Sequence, residues 1–260
     1  MSTESSLNSG LKIFLLRFCA ALRFLTIVPV AWRADRDGDY FNQCLPFFPL
    51  IGMLIGTVGA LGGYLLLFIF PPPVVAIVAI TYLAFISGCL HLDGLSDSGD
   101  GLLSSRPRET SLTIMKDSRV GAMGVIVVVL LLLAKFAALS TLDPVSFCAA
   151  LFFMPLTGRC AILFTMATVK YARPEGGLGS LFYTDSSKGI AVFWCLLLAL
   201  LLFLYIREWA FLTLVMVLAG ALFFNRICTS HLGGATGDTL GANCEIAEML
   251  IAISFSASFL

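Results

Sequence analysis

Apolar runs of bilayer length alternate with short polar loops along most of the chain. A helix needs roughly 17–25 residues to cross a hydrocarbon core. Seven runs come near that: residues 45–70, 74–91, 120–140, 146–169, 189–206, 209–224 and 241–260. The run at 209–224 is short, and Gly, Pro or Glu interrupts others, which predicts that some spans are tilted or broken. Ahead of them lies LKIFLLRFCAALRFLTIVPV, residues 11–30, with Lys12, Arg17 and Arg23. Charge is costly in hydrocarbon, so this stretch predicts either a basic amphipathic helix in the interface or an eighth span. Its interrupting charges and the want of a small-residue cleavage site argue against a signal peptide. Residues 1–10 read as a polar tail. With no linker and no fixed-period repeat, the expectation is a single membrane-embedded domain, 1–260. Its fold class is all-α: a polytopic bundle of about seven transmembrane helices plus the N-terminal helix.

Composition supports lipid as the solvent. Of 260 residues, 59% are apolar and 12% charged, about half the charged share of a soluble domain. Mean hydropathy is +0.97. A soluble globule of this size cannot hide that much apolar surface. This excludes a secreted disulfide scaffold, a disordered chain and a free cytosolic enzyme. None of the eight cysteines forms a C-x-x-C pair, and most sit in apolar runs as small buried residues. His91 and His231 alone offer little to a histidine metal site.

Lys+Arg and Asp+Glu both count 16, which gives no argument for nucleic acid, and none is expected as a partner. The distribution is lopsided. One alternating set of loops holds Arg33, Arg36, Arg106, Arg108, Lys116, Arg119, Lys170, Arg173, Lys188 and Arg226; the other holds Arg207. The positive-inside rule puts the first set in the cytoplasm. Asp93, Asp97, Asp100, Glu109, Asp117, Glu175, Asp185 and Asp238 fall in the same loops, so the chemistry is expected on that side.

H-L-D-G-L-S-D-S-G-D-G-L, residues 91–102, places Asp93, Asp97 and Asp100 at i, i+4 and i+7. On a helix these three share one face within about 60°. Like charges so close need a positive partner, and a cluster of hard oxygens suits Mg²⁺ or Mn²⁺. The plainer reading, aspartates that cap a helix and solvate a loop, stays open, as does a turn in place of a helix at Gly94, Gly99 and Gly101. An EF-hand fails on spacing. Arg106, Arg108, Lys116 and Arg119 follow within one loop, and cations beside a carboxylate-held metal are what a diphosphate requires. The positive-inside rule alone would explain the cations but not their company. Residues 170–182 add Arg173 and Glu175 to a glycine run, and residues 230–248 bring Asp238 to the start of the last span. Glu245 and Glu248 lie inside that span, with Lys135 and Arg159 as intramembrane partners; structural pairing and catalysis are both open for these four.

The segments H-L-D-G-L-S-D-S-G-D-G-L at 91–102, I-M-K-D-S-R-V-G-A-M-G at 114–124, Y-A-R-P-E-G-G-L-G at 171–179 and G-A-T-G-D-T-L-G-A at 234–242 together resemble the cobalamin synthase family, the adenosylcobinamide-GDP ribazoletransferases. R-F-L-T-I-V-P-V at 23–30 and F-P-L-I-G at 48–52 fit as well. The resemblance implies a multi-pass enzyme of the bacterial inner membrane with its active site facing the cytoplasm. It implies transfer of the adenosylcobinamide-phosphate moiety of adenosylcobinamide-GDP to α-ribazole or its 5′-phosphate, with GMP released, and Mg²⁺ as cofactor. On that reading Asp93, Asp97 and Asp100 hold Mg²⁺ on the diphosphate. Lys116, Arg119 and Arg106 stabilise charge, Asp97 or Asp117 takes the proton of the attacking ribose 5′-hydroxyl, and Arg173, Glu175 and Asp238 contact substrate. Whether the protein forms a homo-oligomer is left open.

Two other readings compete. A CDP-alcohol phosphotransferase would show D-x-x-D-G-x-x-A-R; Asp97 to Gly101 match its start, but Ser104 and Ser105 stand where Ala-Arg belongs, and its second carboxylate pair is missing. A non-catalytic corrinoid transporter would run a path past Glu245, Glu248, Lys135 and Arg159, whereas the charge concentrates in loops and no internal symmetry is evident.

Overall fold

The computed structural model describes residues 2–32, 34–184 and 186–258, without the side chains of residues 2–9, 34, 36, 178 and 258. Arg33 and Asp185, and the side chain of Arg36, all counted above among the cytoplasmic charges, lie outside the described residues. In lipid a backbone N–H or C=O must find its partner within the protein, and a helix meets that demand inside one segment. The described residues form ten α-helices: α1 (Ser2–Leu25), α2 (Phe48–Leu66), α3 (Pro72–Ile86), α4 (Leu90–Leu103), α5 (Arg108–Ile114), α6 (Ala122–Ser140), α7 (Pro144–Thr168), α8 (Ser187–Ile206), α9 (Trp209–Leu232) and α10 (Gly237–Ser258). Proline opens α3 and α7, where its missing N–H costs nothing. Asp143 caps α7 by accepting from the Val145 and Ser146 amides at 2.9 and 3.3 Å.

Six stretches are long and apolar enough to cross a membrane: Leu45–Leu66, Ala122–Ser140, Pro144–Thr168, Ser187–Ile206, Trp209–Leu232 and Gly237–Ala257. The expected run at 74–91 is not one rod. Helix α3 has 15 residues, about 22 Å at 1.5 Å per residue. Gly88 and Cys89 then take φ of 59° and 58°, the left-handed turn that ends it, and α4 departs at 88°. The pair makes a seventh crossing only if its two halves are counted as one. The run at 209–224 extends the other way, because α9 carries Asn225, Arg226 and the turn beyond them to Leu232. Helix α1 ends at Leu25 and is not among the stretches apolar enough to span. It buries Leu16, Ala20, Ala21 and Leu25 while exposing Leu11 and Phe14.

Helix α7 is the hub of the bundle. Its most apolar stretch is 78% buried, against 28% for those of α6, α8 and α9, and it packs along α2, α10 and α8. Glycine permits the α2 approach: a Cβ on Gly52 would stand 2.5 Å from the Pro155 carbonyl oxygen. The outer surface is apolar, with Leu61, Leu65, Phe203, Phe211 and Phe223 exposed, as a lipid-facing surface must be.

Inside the bundle sit four charges. Lys135 Nζ donates to Glu245 at 2.7 Å and to Glu248 at 2.8 Å, and Arg159 donates to Glu248 at 2.7 Å. No side chain of the four is more than 7% exposed. Two positive and two negative charges close on one another across α6, α7 and α10, which is a strut rather than an open path. Removing one member would strand its partner in a medium that cannot solvate it, at about 3–5 kcal/mol. Lys135→Met is therefore expected to lower the thermal unfolding temperature of the detergent-purified protein sharply. Adding Glu245→Leu, which leaves the Arg159–Glu248 pair intact, is expected to recover most of the loss. A single variant as stable as the wild type would contradict this account.

Candidate active site

Helix α4 carries the acidic cluster, so the helix reading of residues 91–102 holds over the turn. Its glycines set it against its neighbours. A Cβ on Gly94 would lie 2.6 Å from the Asp238 carbonyl oxygen, so only glycine lets the start of α10 rest on α4. Asp238 is thereby carried to the side of Asp93 and Asp97. The loops join in register: Ala172 N donates to Ala235 O at 2.8 Å, and Ala235 N to Lys170 O at 2.9 Å. Arg108 staples the same end, donating from Nε to Leu232 O at 2.7 Å and from an Nη to Ala172 O at 2.8 Å. Two charged loops, residues 104–121 and 169–184, and the uncharged turn 233–236 therefore meet at one end of the bundle.

The acids fare differently there. Asp97 is partly buried, and burial together with Asp93, Asp238 and Asp100, against a smaller pull from Arg173, pushes its carboxyl up to about 6. Asp93 on the same face is exposed. Asp100 turns to α6, where its two oxygens accept the Gly121 amide at 2.7 Å and the Gly124 amide at 2.8 Å. It satisfies otherwise unpaired donors at a helix start and meets the positive end of the helix dipole. For this residue the capping reading describes what the structure shows. Among the described residues no three His, Cys, Asp or Glu side chains form a group that could enclose a metal ion. Asp93, Asp97 and Asp100 share a face without closing into a three-ligand cage.

Asp238 accepts from Arg173 at 2.8 Å and from the Thr236 hydroxyl at 3.2 Å. Arg173 Nε is buried without a hydrogen-bond partner, a donor left for something else. Lys116 Nζ lies 2.5 Å from Glu175, tying loop 104–121 to loop 169–186 at an exposed rim; the ammonium holds the Glu175 carboxyl below its ordinary range. Arg119 grips Asp117 from Nε and an Nη, the shortest contact 2.6 Å. That bond pulls the Asp117 carboxyl down to about 2. Arg119 and Arg106 are otherwise exposed. The two carboxylates offered as proton acceptor thus separate in environment: Arg119 pulls Asp117 down, and burial and neighbouring acids push Asp97 up.

The structure adds a cavity of about 170 Å³ between the end of α1, the start of α4, the start of α10 and loop 178–182. Phe24, Phe48 and Phe182 line it together with Asp93 and Asp238. Sequence reasoning missed the three phenylalanines, since an aromatic in an apolar run looks like core. Phe24 and Phe48 do lie in segments 23–30 and 48–52.

The family model described as cobalamin-5-phosphate synthase matches residues 17–256. A relative from Acetivibrio thermocellus, named adenosylcobinamide-GDP ribazoletransferase, is 34% identical over 249 residues, covering 93% of this chain and 98% of its own. One of the same name from Pseudomonas putida is 36% identical over 243 residues, covering 93% and 99%. Another from Clostridium acetobutylicum is 29% identical over 235 residues, covering 90% and 93%. No solved structure matches.

Asp100→Ala removes both bonds to the α6 amides and is expected to cost about 1–2 kcal/mol in thermal unfolding, the range of a lost helix cap. Asp100→Asn keeps an acceptor and is expected to retain most of the stability. Equal losses in the two variants would show that the cap is not what Asp100 contributes.

Proposed function

This chain belongs to the cobalamin-5-phosphate synthase family, and from that premise we propose that it transfers the adenosylcobinamide-phosphate moiety of adenosylcobinamide-GDP to α-ribazole or its 5′-phosphate, releasing GMP. The observation that carries the reading is the meeting of Asp93, Asp97 and Asp238 with Arg173, next to Glu175 and the Lys116 that pairs with it. A reaction that breaks a diphosphate and makes a phosphodiester needs carboxylates and cations together.

The attacking hydroxyl is one that both acceptors carry, which excludes the 5′ position. Its oxygen bonds to the phosphorus nearer the corrinoid, the bond to the bridging oxygen breaks, and GMP leaves with the electron pair. Asp97 takes the hydroxyl proton. Lys116 and Arg119 neutralise charge on the departing GMP, and the unpartnered Nε of Arg173 is available to a phosphate oxygen. Arg106 and Glu175 frame the entrance.

Mg²⁺ fits this donor set although the described residues form no three-ligand cage, because it is commonly bound through one or two carboxylates, with substrate phosphates and water completing the shell. Asp93 would hold it, with Asp97 beside it, and the acids crowding Asp97 are charge that a cation relieves. Bound there, the ion supplies charge neutralisation on the diphosphate. We place the site on the cytoplasmic side of a bacterial inner membrane because the basic loops gather at that end.

No observation favours the phospholipid or transporter reading. In purified protein, Asp97→Asn is expected to reduce GMP release from adenosylcobinamide-GDP by at least about 10²-fold, and Asp117→Asn by less than about tenfold. Wild-type turnover in Asp97→Asn would overturn the reading.

A further inference from the structure

The cavity beside the acids is lined by aromatic and aliphatic residues together with two carboxylates. Phe24, Phe48 and Phe182 pack with ring centroids 5.8, 4.9 and 5.3 Å apart, a preorganised aromatic wall. Asp93, Asp238 and His91 line the same space, and no Lys or Arg is among the lining residues. At about 170 Å³ the cavity falls below the roughly 300–1,000 Å³ of a site for a whole drug-sized ligand, yet it is close to the roughly 150 Å³ in which an apolar cavity can take a single ring. A corrin is excluded by size. Guanine could give its N–H edge to a carboxylate, but its O6 and N7 acceptors would find no Lys or Arg among the lining residues.

We infer that this cavity seats the aromatic base of the acceptor nucleoside, a flat apolar bicycle of the benzimidazole class, with the ribose turned to Asp93 and Asp238. The inference rests on the proposed transfer reaction and adds where the acceptor binds and which residues measure it. The base enters between the phenylalanine wall and the first turns of α4 and α10. Asp97 lies one turn along α4 from Asp93, so a base held in the cavity leaves its ribose hydroxyls beside the group that takes the proton. The rim cations are left to the GDP end of the other substrate.

Gly237 measures the depth of the seat. It lines the cavity, a Cβ added to it meets nothing within 4 Å, and its φ is not in the left-handed region. A side chain there fills the cavity without straining the backbone, unlike one at Gly94. Gly237→Leu is therefore expected to raise the KM for α-ribazole at least about tenfold while the KM for adenosylcobinamide-GDP stays close to wild type. The riboside of plain benzimidazole, which lacks the two ring methyls, is expected to suffer less than α-ribazole. Equilibrium dialysis of α-ribazole against wild type and Gly237→Leu is expected to show the same loss without turnover, and thermal unfolding checks that the variant folds. Gly237→Ala, a smaller intrusion, gives an intermediate effect. A raised KM for adenosylcobinamide-GDP in place of α-ribazole would assign the cavity to guanine and overturn the inference, as would unchanged constants for both. Wild-type protein that binds α-ribazole but releases no GMP would overturn the reaction and leave the seat standing.

Discussion

Four charged side chains are buried in a bundle whose surroundings cannot solvate them, and each must find its counter-charge inside the protein. Lys135 on α6, Arg159 on α7 and the pair Glu245 and Glu248 on α10 meet that demand together. A shift of any of these helices by one residue would separate charges that have nowhere else to go, so their relative register is constrained. The active end inherits the constraint. Leu92 of α4 lines the same small cavity as Lys135 and Glu245, and Gly94 of α4 lies against Asp238 at the start of α10. The helix with the acids is seated on the helices that the strut aligns.

At that end each acid is defined by what has already claimed it. The α6 amides hold Asp100, Arg119 holds Asp117, and Arg173 holds Asp238. What remains is Asp93, exposed, and Asp97, crowded by its neighbours. These two stand apart because, among the described residues, neither is held as the other acids are, and Arg173 draws only weakly on Asp97. The cations are divided in the same way: Arg108 is spent on backbone carbonyls that join the loops, while Lys116 and Arg119 stay at the surface in ion pairs that solvent screens.

Much of this is legible in the chain because lipid makes composition speak plainly. Apolar length reports most spans, and the uneven charge marks one end of the bundle, since the loops of one set carry nearly all the basic residues. Helical periodicity correctly puts Asp93, Asp97 and Asp100 on one face. It is silent about the neighbour that face meets, so the capture of Asp100 by the α6 amides had to come from the tertiary structure. The break after Ile86 was hidden because Ser87, Gly88 and Cys89 are small and sit between two helix-forming stretches; the left-handed turn shows only in the backbone. Residues 209–224 were cut short for a related reason. A hydropathy window stops at Asn225 and Arg226, but a helix continues as long as its polar side chains have partners, and Asn225 shares the Thr165 and Asn243 network. The phenylalanine wall of the cavity was invisible because a core and a ligand seat use the same residue type.

The central claim is that a divalent cation at Asp93 meets the diphosphate at the charged end of the bundle. The most direct measurement is electron–nuclear double resonance of Mn²⁺ in the purified protein with adenosylcobinamide-GDP bound. The account predicts phosphorus-31 coupling to the bound ion, lost together with the ion in Asp93→Asn. A bound ion without phosphorus coupling, or one that persists unchanged in Asp93→Asn, would contradict it.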